Sequence, residues 1–350
     1  MGPSNNHNHP GLDWVVQKFG GTSIGKYAFQ ANRVAKRRDS LRRNRVAVVC
    51  SARSTTSKAA GTTTRLIEIF NVFDAARVGN GRQQADAVGA LQSSLQIIVE
   101  EHLVGAAPSL VNKASRDILA ARLSLEAQNT VSAVTEALKA PKYDHGWVQD
   151  LLVSLGEKLS CLTMVAILQD LGVEAEYVDL SSILPPSSPS TPVHDDANCY
   201  TSLSAAIGAR LSSCGPRVPV ATGFFGPSSG GMLASTVGRG YTDLCAALAA
   251  VGLAAVELQV WKEVDGILTA DPSRVPGARL VPRGARPGRP AGRGGTYGDG
   301  AARVQREAAG GAGHGGPAGG RRKQGGGQRL GHGRRVSQVR RRRGVPGDHG

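Results

Sequence analysis

Trp14-Val15-Val16-Gln17-Lys18-Phe19-Gly20-Gly21-Thr22-Ser23 is the stretch whose reading decides the fold. Trp14–Phe19 reads as a strand. Two glycines follow, and a helix-like segment begins near Tyr27. Glycines let backbone N–H groups approach an anion closely, and a helix start adds the positive end of its dipole. Lys18 places a full positive charge beside that turn. The stretch therefore reads as a phosphate cradle. It is not a P-loop, because the Gly-x4-Gly-Lys-Ser/Thr spacing is absent. A strand that simply ends in Gly-Gly, with no ligand, fits the same residues.

Strand-like and helix-like segments alternate on both sides of this stretch. Tyr27–Arg43 has helical spacing and many basic residues. Arg45–Cys50 is a continuous apolar run, the pattern of a strand buried on both faces. Gln84–Val104, Ala114–Leu138 and Val148–Leu171 have the apolar spacing of helices, the last stopped by Gly172. Glu174–Leu180 and Val218–Thr222 read as strands, Tyr241–Leu253 as an Ala-rich helix and Val256–Trp261 as a strand. Such alternation predicts a mainly parallel sheet with helices over both faces. Pro185–Pro192, with four prolines among serines, reads as a surface loop.

The chain has 350 residues, room for one large domain or two ordinary ones. Hydrophobic residues make up 40% and aromatics only 4%, so the core is expected to be mainly Ala, Val and Leu. The formal charge of +15 suggests nucleic acid until it is located. Residues 283–350 hold 16 of the basic and 3 of the acidic residues, leaving the body nearly neutral. That segment is dominated by Gly, Arg and Ala, and its few apolar residues cannot offset the entropy of ordering it. It is expected to be disordered, as is the polar N-terminus over residues 1–12. Five cysteines lie scattered without pairing motifs, which suggests reduced thiols. No apolar run approaches the length of a membrane span, and residues 1–10 lack signal-peptide and transit-peptide patterns. The cytoplasm is the expected location.

Further motifs sit where chemistry is expected. Gly223-Phe224-Phe225-Gly226 follows the Val218–Thr222 strand, at the edge where open α/β sheets bind ligands. Gly238-Arg239-Gly240-Tyr241-Thr242-Asp243 opens the Ala-rich helix. Arg239 suits a carboxylate or phosphate, held in a bidentate fork. Asp243 equally suits the first turn of a helix with no ligand at all. Lys262-Glu263-Val264-Asp265-Gly266 and Asp271-Pro272 read as turns after the last strand. Gly156 interrupts a helical stretch, which points to a helix start or to a close approach by another element. Glu157, taken alone, reads as a solvated surface acid.

In their order these motifs, with Cys50-Ser51-Ala52-Arg53, Gly61-Thr62-Thr63-Thr64 and Gly156-Glu157-Lys158-Leu159-Ser160, resemble the aspartate kinases of the amino-acid kinase family, most of all the fungal form. The resemblance spans about Trp14 to Leu280. It implies a three-layer α/β/α sandwich with a mainly parallel sheet, and a catalytic domain over residues 13–282. It also implies transfer of the γ-phosphoryl group of ATP to the β-carboxylate of L-aspartate, giving 4-phospho-L-aspartate, in threonine and methionine biosynthesis. By the same resemblance Lys18, Gly20 and Gly21 would hold the ATP phosphates. Ser51, Thr63, Glu157, Phe224 and Arg239 would surround aspartate, with Glu157 on its ammonium and Arg239 on its α-carboxylate. Asp243 would be catalytic, and Lys262, Glu263 and Arg274 would line the nucleotide side. Mg2+ would ride mainly on the phosphates, with no protein ligand cluster. The intact family form is a homo-oligomer with ACT regulatory domains and no membrane partner.

The family pattern stops near Leu280, and the segment after it is expected to come from a reading-frame shift or a mistaken gene model. On that view the ACT domains are absent and the chain has little activity and no feedback inhibition. A basic tail binding nucleic acid non-specifically on an inactive fragment is the rival reading, as is another acceptor within the amino-acid kinase family.

Overall fold

The computed structural model describes residues 7–25, 41, 43–54, 61–140, 143–183, 197–226, 241–261, 275 and 277–279. Five strands form one sheet: β1 (Trp14–Phe19), β2 (Arg45–Cys50), β3 (Ala175–Val178), β4 (Val218–Thr222) and β5 (Glu257–Trp261). Their order is β3-β4-β2-β1-β5, and every pairing is parallel. The carboxyl ends of all five strands therefore share one edge. The helices are α1 (Gly21–Ile24), α2 (Thr62–Ala76), α3 (Gly81–Ala106), α4 (Lys113–Lys139), α5 (His145–Asp170), α6 (Ala197–Ser212) and α7 (Tyr241–Gly252).

Alternation along the strands splits the core into two apolar layers. Phe19, Val46, Val48, Cys50, Val218 and Val220 face α2 to α5. Trp14, Val16, Ala47, Val49, Ala221 and Leu258 face α6 and α7. This is the α/β/α sandwich with a parallel sheet that the sequence predicts. Helix α5 lies at the centre of its layer and packs on α2, α3, α4 and three strands. Contacts on so many sides require apolar residues nearly all round it. By length and composition alone α5 could cross a membrane, but most of it is buried inside the protein.

Three local features depart from the sequence reading. The turn after β1 is itself helical over Gly21–Ile24; most of the expected Tyr27–Arg43 helix, its start included, lies outside the described residues. Helices α2 and α6 form over stretches without a clear helical signal. Residues 7–12, expected to be disordered, pack on the body. Asn8 is fully buried, and its side chain brackets Val46: Oδ1 accepts from Val46 N at 2.7 Å and Nδ2 donates to Val46 O at 3.1 Å. The side-chain amide thus acts as a short piece of strand beside β2, upstream of the first β4 pairing at Val48. Residues 283–350 and Pro185–Pro192 lie outside the described residues.

Candidate active site

Three of the strand ends build the centre of the site. At the end of β1, Lys18 takes the side-chain parity that faces α7, and its register partners are Val49 of β2 and Val260 of β5. A strand held on both sides fixes the lysine stem, and only 5% of its side chain is exposed. Asp243, in the first turn of α7, meets it with Nζ to Oδ1 at 2.8 Å, and 29% of the aspartate side chain stays open to solvent. The acid also lies where the helix dipole favours negative charge.

The glycine turn is tied to its neighbours through the backbone. Gly20 N donates to Trp261 O at 3.0 Å, so the turn after β1 is fixed to the end of β5. Ser51 N donates to Phe19 O at 3.1 Å and Ser54 N to Gly21 O at 2.9 Å, which fastens it to the loop after β2. A Cβ on Gly21 would stand 2.6 Å from Ala52 O, so this position has no room for a side chain. Thr62 N donates to Arg53 O at 3.0 Å and starts α2, whose first turn carries half-buried Thr63.

The third strand end carries the densest polar network. Phe224 N donates to Glu157 Oε2 at 2.6 Å, and Thr242 Oγ1 donates to Glu157 Oε1 at 2.7 Å. Thr222 Oγ1 donates to Phe224 O and accepts from Leu180 N, both at 3.0 Å, which holds the turn from the other side. The Phe224 ring, buried, meets Tyr241 edge to face with centroids 6.0 Å apart. Glu157 is 1% exposed, the reverse of the solvated acid its sequence context suggests. Burial pushes its carboxyl up to about 7, against the hydrogen bonds from Thr242 and Phe224, the nearby Lys18 charge and the Gly223 N–H, which all favour the ionised form.

Lys18, Gly20, Gly21, Ser51, Glu157, Phe224 and Asp243 are thus gathered at one sheet edge. Arg239, Lys262, Glu263 and Arg274 lie outside the described residues. Thr242 and Thr222 were not singled out from the sequence. Adjacency to Asp243 was the only clue to Thr242, and Thr222 had only its place at the end of a strand. Among the described residues no group of three His, Cys, Asp or Glu side chains could hold a metal ion. Four cysteines, Cys50, Cys161, Cys214 and Cys245, are free and buried. Burial pushes the Cys161 and Cys245 thiols up, and that of Cys214 up to about 11, which suits core residues rather than nucleophiles.

A parallel sheet with a lysine and a glycine turn at its carboxyl edge, faced by buried and half-open carboxylates, is a frame suited to holding a small anionic ligand. The chain belongs to the amino acid kinase family, whose pattern matches residues 13–285. It is 43% identical to the aspartokinase of Schizosaccharomyces pombe over 288 residues, 79% of this chain and 51% of that protein. It is 43% identical to the aspartokinase of Saccharomyces cerevisiae over 290 residues, 80% of this chain and 50% of that one. The structure resembles Escherichia coli aspartokinase III solved with aspartate and ADP, with a TM-score of 0.51 and 26% identity, covering 77% of this chain and 53% of that chain. The chain spans about half the length of the curated relatives it matches.

Proposed function

We propose that this site transfers the γ-phosphoryl group of ATP to the β-carboxylate of L-aspartate. A β-carboxylate oxygen forms the new bond to γ-phosphorus, the bond to the β,γ-bridging oxygen breaks, and ADP leaves with that electron pair. The acceptor is already an anion and needs no base to activate it. The demand on the protein is position and charge neutralisation. The Lys18–Asp243 pair beside the Gly20–Gly21 turn is the observation that carries this reading. It presents an ammonium where triphosphate charge would gather, on a strand fixed from both sides. Asp243 orients that ammonium and stands at the mouth of the site.

Glu157 would take the aspartate ammonium, with Ser51, Thr63 and Phe224 around the acceptor and Arg239 on its α-carboxylate. Gly20 and Gly21 would lie along the phosphates, with Lys262, Glu263 and Arg274 on the nucleotide side. Mg2+ fits this donor set only as an ion carried by the phosphates, where it would offset their charge. Likeness to the fungal aspartokinases supports aspartate over other small acids. On this reading the intact family form acts in the cytoplasm, as a homo-oligomer, in threonine and methionine biosynthesis. The test is a panel of aspartate, glutamate, carbamate and nucleoside monophosphates, with ADP release and acyl hydroxamate as readouts. Hydroxamate formed with aspartate alone supports the proposal, and turnover with another acceptor in its place refutes it.

A further inference from the structure

Residues 156, 157 and 158 of α5 point about 100° apart around the helix axis, and each meets a different part of the protein. Gly156 faces the loop after β2 and α2: a Cβ there would lie 3.0 Å from Ala52 Cβ and 3.1 Å from Thr62 Cγ2. Glu157 faces Phe224 N and Thr242. Lys158 faces the third way, with Nζ 3.0 Å from Glu126 Oε1 on α4 and 2.9 Å from Asp179 Oδ2 just past β3. Asp179 is itself fixed, accepting from Ser181 N at 2.8 Å. The Lys158 side chain is only 13% exposed, and burial opposes its charge, yet Asp179 and Glu126 hold its proton more firmly than usual.

We infer that Lys158 is a positioning residue: its double ion pair sets the roll of α5 and so aims Glu157 at the Phe224 turn. Gly156, lacking a side chain, lets α5 lie close against Ala52 and Thr62 on one side. The Lys158 ion pairs fasten it on another, to α4 and to the end of β3. Without the ammonium, Glu126 and Asp179 would face each other as two half-buried like charges, and a roll of α5 would separate them. The Glu157 oxygens lie about 6 Å from the helix axis, so a 10° roll carries them about 1 Å. Misplacement on that scale is enough to cost about 100-fold in a positioned reaction. The effect on Glu157 stands on the geometry alone; its consequence for aspartate rests on the proposed function.

The test measures both on the full chain, in Lys158→Met and Lys158→Arg. Hydrogen exchange of the peptide spanning residues 222–226 should quicken about ten-fold in Lys158→Met, while that of β2 stays as in the parent. Lys158→Arg, which keeps the charge, should restore it. The KM for aspartate should rise about ten-fold in Lys158→Met, with the KM for ATP within two-fold. Unchanged exchange at 222–226 in a variant with intact β2 protection overturns the inference. Faster exchange there with no change in aspartate KM leaves the positioning role standing and counts against the acceptor assignment of Glu157. If Lys158→Met exchanges throughout, the Lys158→Met/Glu126→Gln double variant, which removes one of the stranded carboxylates, is read in the same way. Global exchange in that form too would make Lys158 a general stability residue and refute the positioning role.

Discussion

Glu157→Gln should change how the stability of the chain depends on pH. The Glu157 carboxyl is held up to about 7, chiefly by burial, against an ordinary value of 4.5. Between these two values the native chain keeps a proton that the unfolded chain has lost. The stability this contributes is full below the unfolded value, declines as pH rises, and is gone above the native one. At about 1.4 kcal/mol per pKa unit, the change between about pH 5 and about pH 8 comes to roughly 2.5 kcal/mol. Gln has no such proton, so its stability lacks this component. The difference between the two proteins should therefore move by about 2.5 kcal/mol toward the Gln variant over that range, while contributions from other carboxylates cancel. Any constant cost of presenting an amide to both the Phe224 N–H and the Thr242 hydroxyl shifts both pH values equally. Urea unfolding of each protein at the two pH values reads it. With a slope of about 2.5 kcal/mol per molar, the relative midpoint should move by about 1 M. A difference that stays constant to within about 0.5 kcal/mol would mean that Glu157 is ionised in the native state throughout, and would refute the account of its environment.

Lys18→Ala should lower phosphoryl transfer at least about 100-fold with the far-ultraviolet circular dichroism unchanged, because it removes the fixed ammonium from the glycine turn; parental turnover would take Lys18 out of the chemistry. Gly21→Ala should destabilise by about 1–3 kcal/mol in thermal or urea unfolding, since the added methyl meets the Ala52 carbonyl rather than a movable side chain; an unaltered midpoint would show that the turn can open. Arg239→Lys should raise the KM for aspartate far more than that for ATP, because lysine cannot reproduce a bidentate fork; the opposite pattern would assign Arg239 to the nucleotide. If Glu157 pairs with the acceptor ammonium, aspartate affinity should rise with pH up to about 7 and binding should release protons. Calorimetry in buffers of different ionisation enthalpy would reveal that release, and heats independent of buffer would place the ammonium elsewhere.

β2 was legible because a strand buried on both faces leaves a continuous apolar run that has few other readings. β1, β2 and β4 lie where the sequence placed them, β3 is shorter by three residues and β5 by one. Helix α2 was missed because it opens on Thr62-Thr63-Thr64 and continues with β-branched Ile67, Ile69 and Val72, which weaken local helix preference. Its packing against α5, with Leu66, Phe70 and Phe73 buried, overrides that preference. Asn8 was missed because its partner, the backbone of Val46, is 38 residues away and carries no side-chain signature.

The site divides along the same physical line. Gly20 and Gly21 were legible because a backbone constraint leaves a residue type in the sequence. Gly156 was legible for the same reason: a glycine inside a helix costs about 1 kcal/mol relative to alanine, and the close approach of Ala52, Thr62 and Leu66 explains why it is there. Glu157 and Lys158 leave no such trace, since charged residues on a helix look alike whether they face water or the interior. What separates them here is distance along the chain. Glu157 meets Phe224 67 residues on and Thr242 85 residues on, and Lys158 reaches back to α4 and forward to the end of β3. Only the folded sheet brings those partners to one edge. A buried carboxyl whose proton is held near neutrality, beside a lysine already paired with an aspartate, is therefore a property of the tertiary structure. No single segment of the chain encodes it.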